Sequence, residues 1–367
     1  MTRTAANFRE AQGLYQQGKL NELTTSQDGY VFLLLRSIAR KEYLEYVARL
    51  LKIDPSAKAK DLLELVFLSG ITAKIVEKTI RFFHLQDRAT RKQAEPDLLA
   101  ELFKLRVFDW GGIHENDINK HIVNNYIKKI TKFDDLVEKI ENEILNSLKG
   151  FVLCSWYNNW TSIIIEDIFK DHQRVLPTVG KIKQVDFFVE GIPFDLKMTY
   201  FPGGFMEEQR QKLALVRSEA SELKRVCKEF NIPIDSGRQE GELVLDMLAA
   251  LSESSKQEVR AFYEKFTARR RTIVSDTIAD PRRLLRWLYE NQGTQRFDTS
   301  NRLFLIVVDL RRMEDSWKLK RDHELLKQEI GRYLDSRRFA KDDLRLRWEF
   351  DGNEYESYTD ILFVVKQ

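Results

Sequence analysis

Cysteine is scarce in this chain: there are two, Cys154 and Cys227, in 367 residues. That excludes a disulfide framework, and their separation offers no zinc-ligand spacing, so a reducing compartment is expected. The five histidines are scattered, with no H-x-x-x-H pair and no H-N-H arrangement. Long apolar runs are also missing. The run from Tyr30 to Leu35 is far too short to cross a membrane. Residues Met1 to Glu10 are polar and lack the apolar core of a signal peptide, so the expected location is the cytoplasm and no membrane partner is expected. Neither sign of charge dominates: 60 Lys and Arg stand against 57 Asp and Glu, for a net charge of +3. Any polyanion site must therefore come from local clustering. There is no G-x-x-x-x-G-K-[ST] loop, which excludes a P-loop ATP-driven motor and leaves no nucleotide cofactor to expect, and no methyltransferase motif is evident.

What is present describes a chain with a substantial core: 43% of residues are hydrophobic and 32% charged. Residues 1–150 read as an all-α domain, with helical periodicity over Lys41 to Ile53, Ala59 to Leu68, Ala73 to Leu85 and Asp134 to Leu148. Asp54-Pro55, Glu95-Pro96 and Asp109-Trp110-Gly111-Gly112 read as breaks. Leu62 to Leu68, the turn at Gly70 and Thr72 to His84 have the form of a helix-turn-helix. Lys74, Lys78 and Arg81 would project from its second helix. A partner-binding or dimerisation bundle is the other reading of this segment.

The most informative stretch runs from Val185 to Lys197. Two apolar arms flank Glu190-Gly191, a two-residue turn with Gly able to take positive φ. That turn sets Val189 opposite Ile192, Phe188 opposite Pro193, Phe187 opposite Phe194 and Asp186 opposite Asp195. Lys197 falls on the same face as Asp195 by the period of two. Two carboxylates facing each other destabilise a bare sheet, whereas a divalent cation between them converts repulsion into binding. The helix reading Asn158 to Phe169 precedes the hairpin and carries Glu166 in an apolar context, with Asp167 and Glu190 as competing third acids.

The spacing Asp186, then Asp195-Leu196-Lys197, resembles the PD-(D/E)XK, or restriction-endonuclease-like, nuclease superfamily. Val185 stands where the superfamily's name has Pro. The resemblance covers roughly residues 155–310 and implies an α/β fold: a mixed sheet flanked by helices, in the order helix, three strands, helix, strand. It implies that Asp186 and Asp195, the backbone carbonyl of Leu196 and Glu166 bind Mg²⁺, with Mn²⁺ as a substitute. Lys197 would orient or help deprotonate the attacking water. Residues 151–367 would form this domain, with a helical insertion at about 205–295. The implied activity is hydrolysis of double-stranded DNA, most like a type II restriction endonuclease acting as a homodimer. Repair and phage-defence nucleases share the same core.

Around the hairpin, Arg174 to Val179 supplies the first strand. Phe205 to Phe230 reads as one long amphipathic helix, followed by a loop over Asn231 to Arg238. Further helices are expected over Gly241 to Ser252, Lys256 to Arg271, Pro281 to Asn291 and Ser316 to Arg338. Arg302 to Leu310 is a continuous apolar run suited to an interior strand. Leu344 to Phe350 and Tyr358 to Lys366 pair about Asp351-Gly352-Asn353. Candidate phosphate contacts are Arg269, Arg270, Arg271, Arg282, Arg283 and Arg286, with Lys181 and Lys183 beside Asp186, and Trp287 and Tyr289 offer stacking surfaces. Two rival functions remain open. A DNA-binding regulator predicts metal-independent, salt-sensitive binding. An interaction scaffold predicts no nucleic-acid affinity.

Overall fold

The computed structural model describes residues 3–108, 118–234, 240–291 and 300–367. Six strands form one open sheet: β1 (Val175–Ile182), β2 (Val185–Val189), β3 (Ile192–Tyr200), β4 (Arg302–Asp309), β5 (Arg345–Phe350) and β6 (Asn353–Lys366). Their spatial order is β1-β2-β3-β4-β6-β5. The first three are antiparallel neighbours, β3, β4 and β6 run parallel, and β5 closes the far edge antiparallel to β6. All eight residues of β4 are buried, as a parallel strand covered on both faces requires. Two of the three hairpin turns have two residues at positive φ, Glu190 and Gly191 in one, Asp351 and Gly352 in the other, and the turn between β1 and β2 has one, Gln184. This is the twist that a two-residue connection needs.

Helices cover both faces. The N-terminal set is α1 (Ala5–Gln16), α2 (Gln27–Ser37), α3 (Lys41–Leu50), α4 (Ala59–Leu68) and α5 (Ala73–Leu102), and α6 (Leu145–Lys170) enters β1. Between β3 and β4 lie α7 (Gly203–Lys212), α8 (Glu219–Glu229), α9 (Glu240–Ser252), α10 (Gln257–Ala279) and α11 (Arg282–Asn291), and α12 (His323–Ser336) precedes β5. One face of the sheet packs Phe187, Phe194, Leu196, Leu303 and Leu305 against α6 and α12. The other face is divided. The N-terminal helices share an apolar cluster with Leu176 of β1 and Phe188 of β2, while α7, α10 and α11 cover Phe304, Ile306 and Ile361. Asp195 and Lys197 alternate with Phe194 and Leu196, so they open onto the divided face between these two helical sets.

Several element boundaries differ from expectation. Pro96 lies inside α5 instead of ending it. Contacts on both sides hold the helix across the missing donor: Arg88 to Glu95 at 2.6 Å and fully buried Leu102. Helix α6 starts well before Asn158, because a wide π-type turn over Ile140–Ile144 joins it to the helix at Phe133–Lys139. The expected single helix from Phe205 to Phe230 is two, broken at Ala214 (φ 54°) and restarted by Ser218 capping the Ser221 N–H. Likewise a 3₁₀ segment over Met313–Arg321 precedes α12, whose start Asp322 caps. The expected break at Asp109 to Gly112 and the second half of the expected loop from Asn231 to Arg238 lie outside the described residues. Among the described residues, no helix is long and apolar enough to cross a membrane.

The joint between the N-terminal helices and the sheet is tight at one glycine. A Cβ on Gly180 would sit 2.7 Å from the Ser37 carbonyl oxygen, beside the bond from the Val179 N–H to Ser37 Oγ at 3.0 Å. Gly180→Ala is expected to lower stability by about 1–3 kcal/mol, as overpacking of a close contact does. Denaturant unfolding against the parent chain checks this, and an unchanged midpoint would mean the joint yields freely.

Candidate active site

The hairpin register is as the turn dictates: Val189 opposes Ile192, Phe188 opposes Pro193 and Phe187 opposes Phe194. At the next position the backbone ladder gives way to a side chain. The Leu196 N–H donates to Asp186 Oδ2 at 2.7 Å. From Asp195 onward β3 pairs with β4, Asp195 aligning with Arg302, and the Asp195 N–H donates to the Asn301 carbonyl at 2.9 Å. Thr178 Oγ1 donates to the Asp186 carbonyl at 2.7 Å and so ties β1 to the same point. Asp186 and Asp195 therefore meet where β3 changes partners.

Their surroundings are unequal. Asp195 is nearly enclosed, its side chain 12% exposed, and its Oδ1 accepts from Lys197 Nζ at 2.7 Å while Lys197 remains 42% exposed. Arg302 Nε lies 3.9 Å from Asp195 Oδ2. Among the described residues, no cation pairs directly with Asp186. Burial is the main cause pushing its pKa up to about 6, and the negative charges of Glu166 and Asp195 add to it. The Leu196 N–H and Lys170 oppose the rise without cancelling it. Glu166 pairs with Lys170 one helical turn on, and Lys170 Nζ also approaches the Thr178 carbonyl at 3.4 Å.

The competing acids are committed elsewhere. Asp167 is gripped by Arg91 through two bonds of 2.8 and 2.7 Å, and Glu190 pairs with Arg174. Of the three, Glu166 is the one whose charge acts on Asp186.

The basic residues separate into distinct environments. Arg269 bonds Glu222 at 2.9 Å, and Arg270 reaches Glu219 at 3.1 Å and Glu314 at 2.6 Å. Arg271 donates to the Leu310 carbonyl at 2.8 Å. By contrast Arg282, Arg283 and Arg286 are exposed on α11. They line a groove of about 740 Å³ with Arg337, Arg345 and Arg347. Trp287 packs on Phe205 and donates to Glu208 at 2.5 Å, and Tyr289 is buried against Phe304, so neither ring faces outward for stacking. Lys74 and Lys78 are exposed at the start of α5, and Arg81 donates to the Gln173 carbonyl at 3.1 Å. Lys183 is exposed next to β2, its N–H directed at Tyr15 Oη at 3.3 Å. Lys181 belongs to β1, with a side chain outside the described residues.

Three participants were not singled out from sequence. Asn301, 3% exposed, exchanges amide bonds with Asn21 at 3.0 and 2.7 Å, donates to the Pro193 carbonyl at 3.0 Å and accepts from the Tyr358 N–H at 2.9 Å. Arg302 and Lys170 set the charge balance around the acids. The available signal for the first two was a polar Ser300-Asn301-Arg302 leading into an otherwise apolar strand, where polar groups are retained only with partners. Lys170 has no sequence signal beyond its i+4 spacing from Glu166.

Among the described residues, no three His, Cys, Asp or Glu side chains gather into a metal-holding group. The donor set still fits Mg²⁺, which binds through one or two carboxylates, waters and substrate phosphate oxygens more often than in an all-protein cage. The unneutralised Asp186 carboxylate beside Asp195 is such a pair. No family model, curated protein or solved structure matches this chain.

The raised Asp186 pKa fixes a pH dependence of stability. An unfolded Asp titrates near about 3.9, so Asp186 contributes most below that pH, and the contribution is lost as pH rises through about 6. Asp186→Asn keeps an acceptor for Leu196 and removes the charge. It is expected to raise the Tm by a few degrees at pH 8 and hardly at pH 4. Mg²⁺ added at pH 8 should raise the Tm of the parent chain and not of the variant. Thermal melts across pH test both, and a pH-independent difference would remove the electrostatic account.

Proposed function

We propose that this chain is a Mg²⁺-dependent endodeoxyribonuclease of the PD-(D/E)XK kind, and that it acts in the manner of a type II restriction enzyme. The observation that carries the reading is the buried Asp186 carboxylate, whose pKa the charges of Glu166 and Asp195 help to raise, with Lys197 two residues beyond Asp195 on the same strand. The element order supports it: a helix (α6), three antiparallel strands, helices, then a strand parallel to the third. A cytoplasmic homodimer acting on double-stranded DNA completes the proposal, since paired sites cut both strands of a palindrome.

Asp186, Asp195 and the Leu196 carbonyl would hold the metal, with Glu166 adjoining. When bound, Mg²⁺ polarises the scissile phosphate and acidifies water. Lys197 is half-exposed beside Asp195 and can transfer its hydrogen bond from that carboxylate to the attacking water or a phosphate oxygen. There its positive charge offsets the charge that builds on phosphorus. Asn301 is a positioning residue, fixing the Asp195 backbone from β4. Glu166 keeps the field at Asp186 negative, with Lys170 offsetting it only in part, and so favours a cation.

Plasmid and genomic DNA incubated with Mg²⁺ or EDTA test the reading. The expected outcome is discrete Mg²⁺-dependent fragments, with Lys197→Ala losing at least about a hundredfold in rate while its melting curve is unchanged. A Mg²⁺-dependent smear would keep the nuclease and drop sequence specificity. Intact DNA throughout, or an active Lys197→Ala variant, would overturn the assignment. For binding, the groove arginines should matter more than the α5 lysines. Combined Arg282→Gln, Arg283→Gln and Arg286→Gln should lower the slope of log affinity against log salt by about 2–3. Lys74→Gln with Lys78→Gln should leave that slope unchanged, and the reverse pattern would move the DNA contact to the N-terminal helices.

A further inference from the structure

Away from the acid pair, α1, α2 and α4 enclose a cavity of about 380 Å³. Its wall is apolar and aromatic: Phe8, Tyr15, Phe32 and Leu63 line it, and Phe32 meets Phe8 edge-on at 5.4 Å and Tyr15 at 6.1 Å. Gln12 and Gln16 of α1 and two cations, half-buried Arg36 from α2 and exposed Lys60 from α4, break this apolar lining. The Arg36 guanidinium lies over the Tyr15 ring, 5.0 Å from its centre. Its Nε is buried and has no hydrogen-bond partner, and Arg36 makes no ion pair among the described residues. A buried guanidinium N–H without an acceptor is costly, and the cost is greatest where the surroundings are apolar.

We propose that this cavity is a binding site for a small monoanionic carboxylate with an aromatic or aliphatic body. Arg36 is the anchor: its half-buried guanidinium at the cavity wall offers the charge-assisted bonds that carboxylates accept well. The rings of Phe8, Phe32 and Tyr15 take up the apolar body by edge and face contacts. The charge is one because a single half-buried guanidinium matches a single negative head. A dianionic phosphate would bring a second charge against an apolar wall with only the solvated Lys60 to meet it. The volume lies at the lower end of the range for small-ligand sites, about 300–1,000 Å³, so the body is a single ring or a short chain. The site is independent of the nuclease reading, and its occupant would press on Tyr15, whose Oη accepts the Lys183 N–H at 3.3 Å at the head of β2.

The test is titration calorimetry and thermal melting of the full chain in EDTA without DNA, so that its outcome does not depend on nuclease activity. The probes are benzoate, phenylacetate and octanoate, with benzamide and phenylacetamide as uncharged counterparts. At least one carboxylate should bind saturably and raise the Tm, and its amide should not. Arg36→Gln should weaken that carboxylate at least about tenfold, or roughly 1.4 kcal/mol. Leu63→Trp, which fills the cavity, should abolish binding with the helical circular dichroism retained, and it serves should Arg36→Gln fail to fold. The proposal is overturned if no carboxylate binds, if the amides bind equally well, or if binding survives Leu63→Trp.

Discussion

One hydrogen bond, from the Leu196 N–H to the Asp186 carboxylate, marks the place on which the rest of the sheet turns. Before it, β3 is the second arm of an antiparallel hairpin. After it, β3 is the first of three parallel strands. A strand that changes partner leaves backbone groups unclaimed at the switch, and buried amides must be claimed. Asp186 takes one, and Asn301 takes its neighbour through the Asp195 N–H. The acid is thus held by the geometry of the sheet while, among the described residues, no cation pairs with it directly. Structural and electrostatic demands on Asp186 are opposed.

Much of this centre was legible in the sequence because its determinants are local. A two-residue turn at Glu190-Gly191 fixes the register of three residues on each side, and alternation then fixes which side chains share a face. The apolar run through β4 and the Asp351-Gly352 turn were legible for the same reason. What was not legible depends on partners distant in the chain. Pro96 reads as a stop until Arg88, Glu95 and Leu102 are seen to hold both halves of α5. Phe205 to Phe230 has one amphipathic period, yet Arg210 of the first piece is fully buried on Glu222 of the second at 2.5 Å, which requires the chain to fold back at Ala214. Within the acid cluster, sequence favoured Glu166 over its competitors Asp167 and Glu190, and Arg91 and Arg174 are seen to claim the latter two.

The arginines make the same point about charge. In sequence, Arg269 to Arg271 form the densest run, but Glu219, Glu222 and Glu314 receive two of them inside the α8–α10 layer. Those pairs order the helical segment, and a charge that is already paired adds little to an external field. The more dispersed Arg282, Arg283 and Arg286 remain exposed because one side of α11 is buried on the sheet through Leu284, Leu285 and Leu288, leaving the other side to solvent.

The Asn301 contacts also bear on when the acid pair comes into being. Asn301 fastens β3 and β6 together and reaches Asn21 of the N-terminal layer, and it enters the chain more than a hundred residues after Asp195. During synthesis at about 5–20 residues per second, that interval lasts on the order of 5–20 seconds. The hairpin bearing both aspartates therefore leaves the ribosome long before β4 exists to align it. Until then, Asp195 has no strand to lean on and Arg302 is not yet made. The protein's order of manufacture keeps this acidic corner unassembled until the last third of the chain has emerged.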